Sequence, residues 1–195
     1  VVLELATNRS KNMTDNKLDR SKLEKLLPEI RKMTIQNPKK FYPELKEKLL
    51  DCGVILCGMP KLQNASLNGA TKKFQNGSVL LLITDRNKSS DIFWFSLFHE
   101  IGHILNNDFY SNHKDKDAYK AKEDKADLFA REFSIPQEKY LNFLDKGKYT
   151  NEAIQSFSQE IGIHPSIVMG RLQNDGKVER NIYNPFRVNY NISLN

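Results

Sequence analysis

The chain is 195 residues long, 39% apolar and 28% charged, with 9 Gly and 7 Pro. That balance excludes collagen-like, low-complexity and wholly disordered chains and suits one domain or at most two small ones. The longest apolar run, Val79 to Ile83, falls far short of the roughly 20 residues that cross a bilayer, so no membrane role is expected.

The net charge of +6 invites a nucleic-acid reading, but its placement narrows that reading. Residues 1–50 hold 12 basic and 7 acidic side chains, residues 51–135 hold 11 of each, and residues 136–195 hold 7 and 6. The excess therefore belongs to the first quarter of the chain. The opening residues, Val1 to Ala6, have no basic stretch before an apolar core, so they do not read as a signal peptide. The absence of an initial Met reads as a cut or truncated chain. Cys52 and Cys57 cannot build a disulfide framework, and a cytoplasmic location is the expectation.

In chain order, residues 1–16 are polar and read as a flexible tail or linker. Residues 17–52 read as basic N-terminal helices. Leu18, Leu23, Leu26, Leu27, Ile30 and Met33 recur at helical spacing, with a kink expected at Pro28. A second helix is expected over Pro43–Cys52, with Gly53 as its C-cap. Residues 53–195 form the remaining unit. Strands are expected at Val54–Cys57, near Leu67–Phe74 and at Val79–Thr84, the last two joined at Asn76-Gly77, which gives a small antiparallel sheet. Helical periodicity then returns over Ile92–Asn106, with Ser90 as N-cap, followed by a loop over residues 107–118. Further helices are expected over Tyr119–Phe133, Gln137–Leu144, Asn151–Ile161 and Pro165–Asn174.

The chemistry concentrates at His99-Glu100-Ile101-Gly102-His103, an HExxH motif inside a predicted helix. Side chains at i and i+4 share one helical face, so His99 and His103 can grip one zinc ion, and Glu100 lies close enough to polarise a water there. A catalytic zinc needs a third protein ligand. Asn106 and Phe109 stand where a metzincin would have Gly and His, which excludes that class. Glu123 is the preferred third ligand, with Asp127 one turn on to hydrogen-bond a ligand histidine; Asp124, Asp127 and the loop residue His113 are rivals. Glu100 would act as general base, and His164, Tyr119 or Tyr149 could stabilise the oxyanion. Trp94 reads as core, and Arg171 as a carboxylate partner holding the last helix.

The run Phe93-Trp94-Phe95-Ser96-Leu97-Phe98 before the motif, then Glu123, Ala126, Asp127, Phe129 and Ala130 with Ile135-Pro136, resembles the ImmA/IrrE family of metallopeptidases. The stretch from Gly162 to Gln173 is similar to the branch found downstream of helix-turn-helix modules in HigA-type antitoxins and related regulators. The resemblance implies an α+β, zincin-like, gluzincin-type peptidase, with Zn²⁺ on His99, His103 and Glu123 and with Glu100 as general base. Lys125 departs from the family pattern, where an acid often precedes the alanine. The implied substrate is a regulatory protein such as a transcriptional repressor or antitoxin. DNA would be contacted only through a helix-turn-helix module absent from this chain. The alternative is a metal- or ligand-sensing domain without turnover; direct nucleic-acid binding by the basic helices ranks last, because no helix-turn-helix is readable there.

Overall fold

The computed structural model describes residues 1–61, 67–85, 89–109 and 116–192. Side-chain caps fix several helix starts. The first helix, α1 (Val2–Ser10), starts without one; Asp19 accepts from the Lys22 N–H at 2.9 Å to begin α2 (Arg20–Lys32), and Asn37 accepts from the Lys39 N–H at 2.9 Å to begin α3 (Pro38–Asp51). Pro38 sits in the first turn of α3, where its missing N–H costs nothing. α2 is assigned as one helix through Pro28, where the sequence predicts a kink.

Three strands follow: β1 (Val54–Met59), β2 (Gly69–Lys73) and β3 (Val79–Thr84), in the order β1-β3-β2. The Asn76-Gly77 turn joins β2 to β3 in antiparallel register from Gly69↔Ile83 to Lys73↔Val79, as expected. β1, however, pairs parallel to β3, from Val54↔Val79 to Met59↔Thr84. The sheet is therefore mixed rather than wholly antiparallel. After β1 the chain crosses over before β2 and β3, and β3 takes the centre. A central strand is covered on both faces, which explains its unbroken apolar run.

The two faces meet different partners. Val54, Leu56, Val79, Leu81 and Ile83 join the main core with Trp94, Leu97, Phe98 and Ile101. Leu80, Leu82, Met59 and Ala70 form a smaller rear cluster closed by Val2 and Ala6 of α1. The expectation of a flexible tail is thus corrected for Val2–Ser10, which is a helix covering the back of the sheet. Leu23, Ile30, Phe41, Leu45 and Leu49 place α2 and α3 in the main core. Arg31 is one of the basic residues of that region, and it is a bracket: its guanidinium donates to the carbonyls of Phe133, Ile161 and Ser134 at 3.0, 2.6 and 3.0 Å.

Beyond the sheet come α4 (Ser90–Asn106), α5 (Lys116–Ser134), α6 (Gln137–Asp145), α7 (Asn151–Ile161) and α8 (Pro165–Asn174). The architecture is α+β, a helical body on one small sheet. The N-cap of α4 is Ser89, one residue before the expected Ser90. Ser90 instead receives the C-terminal segment: its N–H donates to Val188 O at 2.8 Å, and its hydroxyl accepts from the Val188 N–H at 3.1 Å. Trp94 is buried in the core, as expected, with its indole N–H 3.3 Å from the Tyr190 hydroxyl. No helix among the described residues is long and apolar enough to cross a membrane.

Candidate metal centre

α4 supplies His99, Glu100 and His103, and α5 supplies Glu123 and Asp127. The two helices approach closely because Gly102 has no side chain. A Cβ there would lie 3.1 Å from Phe129 Cδ1 and 3.2 Å from Ala126 Cα. The glycine inside the motif and the alanine of α5 are thus one contact seen from two sides, and that contact sets how the two helices present their polar residues to each other.

The result is a tight triangle of donor atoms. His99 Nε2 lies 3.0 Å from His103 Nε2; Glu123 Oε2 is 3.4 Å from the first and Oε1 is 3.3 Å from the second. Ligand atoms bonded at about 2.0–2.1 Å around a tetrahedral ion stand about 3.3 Å apart, so the spacing suits a single ion. The donor chemistry agrees. His99 Nδ1 is 2.8 Å from Asp127 Oδ1. An ionised carboxylate can only accept, so His99 places its proton on Nδ1 and leaves the Nε2 lone pair facing the triangle. Among the described residues, His99, His103 and Glu123 form the group that could hold a metal ion.

Asp127 therefore stands one bond outside the triangle. Asp127→Asn should weaken metal affinity by about 10–100-fold, because the amide can favour the wrong tautomer and carries no charge. A competition titration against a chelating dye measures this.

The electrostatics of the site follow from burial. Burial disfavours charge on His99, but the Asp127 hydrogen bond and the nearby Glu100 and Glu123 outweigh it and raise its pKa. Burial, reinforced by the neighbouring His99, lowers that of His103. Glu100 is only 6% exposed. Burial first, and then the like charge of Glu123, push its pKa to about 8, against the opposing pull of His99. Its carboxylate packs against the start of β2, where a Cβ on Gly69 would fall 2.7 Å from both Glu100 Cγ and Oε1.

These groups line a cleft of about 380 Å³ whose walls include Asn68 to Thr71, Phe95, Ser96, Phe109 and Tyr119. At its rim Lys122 pairs with Asp108 at 3.3 Å. Of the three expected oxyanion donors, only Tyr119 lines this cleft. His164 is turned to its own helix, where its Nδ1 lies 2.8 Å from the Ser166 hydroxyl and caps α8. Tyr149 donates to Leu144 O at 3.2 Å. Asp124 and Lys125 are exposed, and Asp124 is not in the metal-ready group. His113 lies outside the described residues. Arg171 takes the bracing role expected of it: its Nε is 3.5 Å from Asp175, and it donates to Ile135 O at 2.8 Å. Gly69 and Asp108 went unnoticed in the sequence, although a glycine inside a strand is itself a sign of close approach.

Residues 62–172 match the family model of the IrrE N-terminal-like domain of M78 peptidases. The matched span covers more than half of the chain and includes β2, β3, α4, α5 and every donor atom of the triangle. No curated protein matches the chain. A helical peptidase-family span carrying a closed set of metal-ready donors leaves one assignment: the chain belongs to the M78 peptidase family, the ImmA/IrrE metallopeptidases.

Proposed function

We propose that the chain is a zinc-dependent endopeptidase that hydrolyses a peptide bond in a regulatory protein such as a transcriptional repressor or antitoxin. The observation that carries this reading is the placement of a buried carboxyl, Glu100, beside the donor triangle in one cleft. Two imidazoles and a carboxylate suit zinc. A bound dication supplies the Lewis acid that polarises the scissile carbonyl and makes water a nucleophile near neutral pH. A pure metal sensor has no use for a carboxyl poised to take and return a proton.

The chain's own groups account for the rest. β2 is the edge of the sheet and lines the cleft. An extended peptide can lie along it through main-chain hydrogen bonds, which hold the scissile bond without demanding a particular sequence. Beside a bound dication the Glu100 carboxyl would be ionised, so that it can take the proton from water and return it to the leaving amine. The Tyr119 phenol, at the cleft wall, is the donor for the developing oxyanion.

Gly69 gives this reading a test far from the motif in sequence. A methyl in Gly69→Ala would displace the Glu100 carboxylate, the flexible partner, and leave the triangle in place. Cleavage should fall about 10²-fold while metal binding is retained.

The overall test is a map of new protein N-termini in host lysate incubated with the zinc-loaded chain. A few cuts, concentrated in regulatory proteins and abolished by a chelator, are expected. Stoichiometric metal with no cuts, and a Glu100→Gln chain that still signals normally in cells, would establish the sensing role instead.

A further inference from the structure

The cleft does not end at the donor triangle. Asn68, Phe95, Ser96 and Asp127 also line a second hollow of about 460 Å³ between α4, α5 and α8. Its walls hold four arginines, Arg131, Arg171, Arg180 and Arg187.

Their partners are fewer. Arg187 is matched by Asp91, with contacts of 3.2 and 3.0 Å to its two carboxylate oxygens. Arg131 Nη2 and Arg171 Nε share the single carboxylate of Asp175, at 3.1 and 3.5 Å. Arg180 is exposed and has no hydrogen bond or ion pair among the described residues. Asp127, the remaining acid of the lining, is committed to His99. Three guanidinium groups thus face one available carboxylate. Arg171 is held rigidly by the carbonyls of Arg131 and Ile135, at 3.1 and 2.8 Å. Its Nε–H makes no hydrogen bond among the described residues, although its side chain is only 9% exposed. Its Nη2 donates to Gln137 Oε1 at 2.6 Å, so the Arg171 fork is filled from within and the charge open to the hollow is that of Arg131 and Arg180. Two guanidinium groups beside a fixed third favour a planar anion that can accept from their forks. Ile92, Ile135 and Ile167 line the same hollow, so it offers an apolar wall as well as a charged one.

We propose that this hollow is a subsite for an acidic side chain, Asp or Glu, of the peptide being cut. The proposal rests on the peptidase reading. Its continuity with the cleft favours a side chain of the bound peptide over a free anion, and the apolar wall suits the methylene stem of a carboxylate residue. Inorganic phosphate has no stem to bury.

The test compares two blocked peptides, acetyl-Ala-Ala-Glu-Ala-Ala-amide and its Gln counterpart, titrated into the isotopically labelled full chain. NMR signals of the arginine Nε–H groups report the contact directly. The Glu peptide should shift Arg131 and Arg180 and half-saturate at a concentration at least tenfold below the Gln peptide. Arg180→Gln and Arg131→Gln should each erode that preference without changing metal content. Equal responses to the two peptides overturn the proposal. So does inorganic phosphate that competes as well as the Glu peptide at matched ionic strength, which would mark an anion site only. In the N-terminal map, an acid at a fixed distance from the cuts supports the subsite, and acids scattered without register overturn it. A Glu preference in the titration with no cuts in the map would sink the peptidase reading alone.

Discussion

Glu100→Gln should leave metal content unchanged and lower kcat by about 10²–10⁴-fold, the usual worth of a positioned general base. The amide is close in shape to the carboxyl it replaces, so it fills the same space against Gly69 and leaves the contacts of His99, His103 and Glu123 alone. What it cannot do is take a proton. Metal analysis beside a cleavage assay separates the two effects. The same variant has a second signature in the metal-free chain. Folding raises the Glu100 pKa from 4.5 to about 8. Between those values the folded chain holds a proton that the unfolded chain has released, so stability falls as pH rises through the window. The loss is of order a few kcal/mol by pH 8. Urea unfolding of the chelator-treated protein at pH 5 and pH 8 should show the drop, and Glu100→Gln should remove this contribution. Equal pH slopes in the two proteins would show that Glu100 is not held neutral by its surroundings.

Glu123→Ala should empty the metal site. It removes one of three donors, so affinity should fall by more than the about 10–100-fold that an outer hydrogen-bond partner is worth. Metal retained after dialysis is the readout. The fold should survive, because the Glu123 side chain is 34% exposed and braces no core residue. Full retention of metal by this variant would transfer the ligand role to a neighbour such as Asp127. The comparison with Asp127→Asn is therefore informative: the order of loss should be Glu123→Ala well beyond Asp127→Asn.

The donor set was largely legible because it depends on local geometry. An i, i+4 pair of histidines on a helix faces one way whatever the rest of the chain does, and Glu123 and Asp127 lie one turn apart on a second helix. What local patterns could not supply was the packing between elements. The parallel pairing of β1 with β3 is a long-range contact that no turn signal announces. One clue was present in Val79 to Ile83, whose unbroken apolar run is the mark of a strand covered on both faces. That run called for a layer behind the sheet, which α1 supplies. α1 itself was hidden because it buries only Val2, Ala6 and Ser10, too few apolar positions to stand out in a polar stretch. Arg31 was hidden for a related reason: its composition reads as surface charge, and only the assembled helices show the three carbonyls that it gathers. The choice among Tyr119, Tyr149 and His164 likewise depended on where separate helices end.

An open strand edge beside a cleft has a consequence for the behaviour of the chain in concentrated solution. The outer edge of β2 can pair with a peptide, and the same amides and carbonyls, unpaired among the described residues, could template association between copies of the protein. β2 is five residues long and ends in Lys72 and Lys73. Shortness and positive charge are the features that keep exposed edges from zipping together. Two such edges brought side by side would gather four lysines on one short pairing, whereas a single incoming peptide meets only two. Lys72 and Lys73 thus disfavour pairing between copies of the protein along β2.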